Sequence, residues 1–136
     1  MRAHEGAIAL VTGSSKGIGA GIARHLAAAG FTTYVTHHTD QAGADEVAAE
    51  IKQQGGSARV ASLDVSNEAS VEALFGTIEE EHGRLDVLVN NAVKEVSKPI
   101  AEQTLEEWKT VLAVKLDGSF LCTRAALPLF EKSGKA

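Results

Sequence analysis

"VTGSSKGIG", residues 11–19, places three glycines, two serines and a lysine directly behind an aliphatic run. A glycine-rich turn that leaves a strand and enters a helix gathers backbone N–H groups at the positive end of the helix dipole, which makes a cradle for phosphate oxygens. Gly13 permits the tight turn. Gly17 and Gly19 lack side chains that would block a pyrophosphate or hold the helix away from the sheet. The spacing is G-x-x-x-G-x-G, without the later Gly-Lys-Ser/Thr of a triphosphate-binding loop. Gly13, Ser15, Lys16, Gly17, Ile18 and Gly19 are therefore the first candidate ligand contacts.

Outward from this turn, short β-type runs alternate with longer segments of helical period. The strands are expected at 7–12, 32–36, 58–63 and 85–90, and most are apolar on both faces, as buried parallel strands are. The helices are expected at about 17–29, 42–54, 67–82 and 105–130. Gly30, Gly55 and Gly83 stand where a helix takes a left-handed terminating residue. Val71, Leu74, Phe75 and Ile78 form one apolar stripe behind Ser66, the expected N-cap, and Thr104 with Glu107 reads as a capping box. Strand–helix alternation with short connections demands right-handed crossovers, hence an α/β doubly wound parallel sheet with helices on both faces. Ligands of such sheets lie beyond the carboxyl ends of the strands, so the glycine turn should face Asn90, Asn91 and Ala92.

The chain has 136 residues, 44% of them hydrophobic, which suits one domain spanning 1–136. A net charge of -5 argues against a general nucleic-acid binder. One cysteine, Cys122, excludes an internal disulfide. No apolar stretch has the length of a signal-peptide core or a membrane span, so a cytoplasmic protein without membrane partners is expected. His4, His25 and His82 are scattered, and no metal site is expected.

Thr12-Gly13-Ser14-Ser15-Lys16-Gly17-Ile18-Gly19, Asp64-Val65 and Asn90-Asn91-Ala92 resemble, in order, the signatures of the short-chain dehydrogenase/reductases. "DEVAAEIKQQGG" and "GRLDVLVNNA" look like the 3-oxoacyl-carrier-protein reductase type. The resemblance covers essentially the whole chain and implies the first four strand–helix units of a Rossmann-like domain that binds a dinucleotide. It implies that Asp64 accepts a hydrogen bond from the adenine amino group, that Val65 lines the adenine site, and that Asn90 and Ala92 touch the ribose side. A capping or surface carboxylate is the plainer alternative for Asp64.

Charge at the end of the second strand decides which nicotinamide cofactor fits, because a carboxylate there binds a ribose diol and repels a 2′-phosphate. The chain has Thr36, His37 and His38, and no carboxylate before Asp40. With Lys16 in the turn, the arrangement resembles NADP-preferring members, and NADP(H) is the expected cofactor. For the two histidines a solvated loop is the alternative.

The resemblance also implies a catalytic Ser and a Tyr-x-x-x-Lys pair beyond a fifth strand, whereas this chain ends in "LFEKSGKA" where that strand should begin. Its one tyrosine, Tyr34, has His38 four residues later and is expected in the core. Lys115 takes the place of the family's usual asparagine, and its spacing from Trp108, Val111 and Leu112 suggests an inward lysine. Val93 replaces the glycine after Asn-Asn-Ala and should crowd the cofactor. Segment 111–130 is apolar on every side, so part of it should be exposed in a monomer and pair with a second copy. Trp108 and Cys122 are expected to pack as core hydrophobes. The expectation is an NADP(H)-dependent carbonyl/alcohol oxidoreductase, inactive as this chain; a non-catalytic dinucleotide-binding or interaction module is the alternative. An S-adenosylmethionine-dependent methyltransferase is more distant, because its strand-two acid is missing.

Overall fold

The computed structural model describes residues 3–134. Four parallel strands, β1 (Ile8–Val11), β2 (Thr32–His37), β3 (Ser57–Ser62) and β4 (Val87–Val89), form one sheet in the order β3-β2-β1-β4. The register pairs Leu10 with Tyr34 on one side and with Leu88 on the other. Strand order thus reverses at β1, which puts the topological switch point between β1 and β4.

Helices α1 (Gly17–Ala28) and α2 (Gln41–Gln53) cover one face, with Ala20, Ala23, Ala27, Val47 and Ile51 packed on Val11 and Val35. Small alanines on α1 let it lie close to the sheet. Helices α3 (Glu68–His82) and α5 (Gly118–Ser133) cover the other face, where Val71, Leu74, Phe75 and Ile78 meet Leu10, Tyr34, Cys122 and Leu129. The expected α3 stripe is the stripe observed. β1 is buried throughout, as a central strand with helices on both faces must be, whereas β3 at the sheet edge alternates with exposed Ser57 and Arg59.

Four expectations need correction. The N-cap of α3 is Asn67, whose side chain accepts from Ser70 N–H; Ser66 instead donates its hydroxyl to Asp64. The segment expected as one helix over 105–130 is α4 (Leu105–Leu112), a π-helical turn at Ala113–Asp117, and α5. The buried stripe begins only at Gly118, and α4 packs mainly against the π turn and not on the sheet. Consequently α4 has no buried residue, Trp108 is 51% exposed instead of core, and Lys115 lies exposed instead of pointing inward. The Thr104–Glu107 capping box forms as read.

Candidate functional site

The glycine turn is held by side chains that are themselves buried. Ser14 Oγ donates to Val11 O at 2.8 Å and accepts from Thr36 N at 2.8 Å. Thr36 Oγ1 donates to the same Val11 carbonyl at 2.9 Å and accepts from Gly13 N at 3.1 Å. Thr36, expected beside the cofactor, is thus buried beneath the turn and fixes its shape.

Across the switch point, Thr12 Oγ1 accepts from the N–H groups of Asn91 and Ala92, each at 2.9 Å. Asn91 Nδ2 donates back to Thr12 O and Gly13 O at 3.1 and 3.0 Å. Asn91 was expected to face the glycine turn and does so, but neither it nor Thr12 was expected as a cofactor contact, and together they join the two strand ends. Their signal was available, because a buried hydroxyl and an amide at facing strand ends are the groups that can satisfy backbone left over where pairing stops. Gly13 has φ +61°, and a Cβ there would lie 2.9 Å from Ala92 Cα. A Cβ on Gly19 would come within 2.5 Å of both Asn91 Nδ2 and Gly13 O. These two glycines let turn, helix and β4 close on one another.

Gly17 differs, since with φ +60° it has nothing within 4 Å of its would-be Cβ. The space above the turn is open. Asp40, Asn67 and Thr104 cap α2, α3 and α4 with side-chain acceptors, whereas Lys16 at the start of α1 offers no cap and no acidic residue follows in the first turn. The first N–H groups of a helix lack intrahelical acceptors, and a cation at that end opposes the dipole. Ser15 is half-buried in the turn, and Ile18 is 78% exposed above it. This is the arrangement an anion completes.

At the ends of β2 and β3, His37 is nine-tenths buried and its Nδ1 has no hydrogen-bond partner. His38 is exposed, its Nε2 3.6 Å from Asp64 Oδ2. Asp64 Oδ1 accepts from Ser66 N–H and hydroxyl at 3.0 and 2.7 Å, so one carboxylate oxygen holds the local turn. Val65 is buried, and a Cβ on Gly118 of α5 would strike its Cγ2 at 2.6 Å. Asn90 Nδ2 donates to Thr123 Oγ1 at 3.1 Å, and Val93 is 60% exposed beyond Ala92.

Tyr34 lies away from this crevice. Its hydroxyl donates to Glu81 Oε2 at 2.9 Å and lies 3.0 Å from His82 Nε2 under α3. Burial, reinforced by the Glu81 carboxylate, pushes its ionisation far above the ordinary tyrosine range. Such a phenol is a structural donor on the α3 side of the sheet, committed to Glu81 and His82. Among the described residues no three His, Cys, Asp or Glu side chains gather as a metal site requires, and no helix is long and apolar enough to cross a membrane.

Comparison with known proteins agrees with this geometry. The family model described as "short chain dehydrogenase" matches residues 7–136. Glucose 1-dehydrogenase 2 of Bacillus subtilis is 44% identical over 90% of this chain and 48% of its own length. A 3-oxoacyl-[acyl-carrier-protein] reductase of Synechocystis is 40% identical over 99% of this chain and 56% of its own. The chain therefore spans about half the length of the curated relatives it matches. A metagenomic short-chain oxidoreductase solved in complex with NADP superposes with a TM-score of 0.91 at 34% identity, covering 98% of this chain and 60% of that one.

Proposed function

The chain belongs to the short-chain dehydrogenase family, and we propose that its 136 residues are the NADP(H)-binding part of an oxidoreductase acting on carbonyl or alcohol substrates, similar to the 3-oxoacyl reductases. The observation that carries this is the start of α1, a helix end without a side-chain cap that bears a lysine and opens above Gly17. The Gly13–Gly19 turn would hold the diphosphate on Ser15, Lys16, Gly17 and Ile18. Lys16 suits the 2′-phosphate side, and His37, whose Nδ1 is buried without a partner, would shape that side from within. Asp64 would take the adenine amino group, with Val65 behind it, and Asn90 and Ala92 would face the ribose side. Thr36 would act beneath, through the turn. The cofactor, when bound, supplies or accepts a hydride. These residues bind and orient it.

The proton donor is a separate matter. The one tyrosine is committed to Glu81 and His82, and no Tyr-x-x-x-Lys pair is present. As this chain, the protein is proposed to bind the dinucleotide in the cytoplasm without reducing a carbonyl. Competition followed by cofactor fluorescence is expected to show NADPH bound more tightly than NADH; NADH winning, or neither binding, overturns the cofactor assignment. Carbonyl turnover by a homogeneous sample of verified intact mass would overturn the second statement.

A further reading, a binding or interaction module, has its own observation. Leu105, Trp108, Leu116, Phe120 and Leu127 are exposed along α4, the π turn and α5. This face is proposed to pair with a second copy of the chain, and the pairing is compatible with the dinucleotide site.

A further inference from the structure

Arg24, Arg84 and Arg124 each hold a carboxylate, on Glu50, Asp86 and Glu68. Arg59 of β3 makes no ion pair or side-chain hydrogen bond among the described residues. It stands in register with Tyr34 of β2, and both line a cavity of about 290 Å³ between β3 and α3, at the outer edge of the sheet. Ala61 and Leu74 give this cavity an apolar floor, and Glu81 is its acidic wall. It shares no residue with the contacts proposed for the dinucleotide.

The two charges are placed to act together. The Tyr34 hydroxyl donates to Glu81 Oε2 at 2.9 Å, which fixes the carboxylate and leaves Oε1 without a partner among the described residues. Beyond burial and this bond, the charges felt by the phenol are Glu81, which raises its pKa, and Arg59, which lowers it, so both converge on one hydroxyl. A guanidinium presents a planar fork that matches a carboxylate. An anion alone would meet the Glu81 carboxylate, and a cation alone would meet Arg59, so each is penalised by the opposite wall. A molecule that carries both charges close together satisfies both walls. The volume, at the low end for ligand pockets, limits its body to a short chain.

We propose that this cavity binds a small aliphatic amino acid as its zwitterion, with Arg59 on the carboxylate, Glu81 on the ammonium and the side chain over Ala61 and Leu74. The test is an amide NMR titration with leucine, with isocaproate, which lacks the ammonium, and with isoamylamine, which lacks the carboxylate. Leucine is expected to shift amides of β3 and α3 saturably, and each of the other two to bind about fivefold more weakly, the scale of one exposed charge pair. Arg59→Gln is expected to weaken leucine by about the same factor without weakening isoamylamine. Glu81→Gln, which keeps an acceptor for Tyr34, is expected to weaken leucine without weakening isocaproate. This crossed pattern separates ligand contact from a general loss of structure. No saturable shift with leucine, equal binding of the three probes, or the same loss for every probe in both variants overturns the site.

Discussion

Gly19 leaves no room for a side chain, since the first carbon of one would overlap the Asn91 amide and the Gly13 carbonyl. Gly19→Ala is expected to cost about 1–3 kcal/mol, because the Asn91 side-chain amide on one side and the backbone of the turn on the other must shift, and to abolish dinucleotide binding by opening the turn. Urea denaturation and NADPH fluorescence read the two effects separately. Thr12 offers a subtler test. Valine keeps its shape but removes the acceptor of two N–H groups, so Thr12→Val is expected to lose about 1–3 kcal/mol in urea denaturation. Unchanged stability would mean that Asn91 and Ala92 find other acceptors. At this scale Gly13, Gly17 and Lys16 were legible in the sequence, because left-handed backbone and local charge belong to single residues. The switch-point rule placed Asn91 opposite the turn, but the bonds it makes with Thr12 were not legible, because the two lie 79 positions apart and meet only after the sheet has formed.

Among the elements, the helix starts separate local from tertiary control. Asn67→Ala is expected to cost about 1 kcal/mol through the lost cap on α3, with Ser66→Ala milder; the reverse order in thermal melts would restore Ser66 as the cap. Ser and Asn are both good caps and stand side by side, so the sequence could not choose between them until Asp64 took the Ser66 hydroxyl. In α4 the Lys98 ammonium, and then the Thr104 N–H, hold the Glu107 carboxyl below its usual range. A carboxylate depressed in this way stabilises the helix above the ordinary carboxylate range and ceases to do so as pH falls through its folded value. Trp108 emission should therefore change on acidification below the ordinary carboxylate range, before global unfolding, and Glu107→Gln should remove that early step. The π turn escaped the sequence because α- and π-helical turns use the same amino acids.

For the whole molecule, the core and the uncovered face make opposite predictions. Cys122 is fully buried, and burial pushes its thiol up to about 11. Its protonated form is favoured by folding, so this contribution is intact below the free thiol range and lost as pH rises through about 11. Labelling by a thiol reagent at about pH 8 should accordingly wait for unfolding and follow its denaturant dependence; rapid labelling of the native protein would show the α3–α5 layer to be open. The exposed apolar side chains of α4 and α5 should instead drive association. Sedimentation is expected to show concentration-dependent dimers, weakened by Phe120→Asp and Leu116→Asp, and a strictly monomeric protein at high concentration would count against a second copy on this face.

What the sequence determined alone is what periodicity, capping chemistry and glycine can specify over a few residues: four strands and their helices, the parallel sheet that right-handed crossovers require, and the glycine turn between β1 and α1. The tertiary structure decided which polar groups the fold consumes and which it leaves for a ligand. Thr36 and Tyr34 went to internal partners, while the start of α1 kept its N–H groups without a side-chain cap. Hydrogen bonds between distant strand ends and the burial of one helix against another depend on the whole fold, and no window of sequence contains both partners.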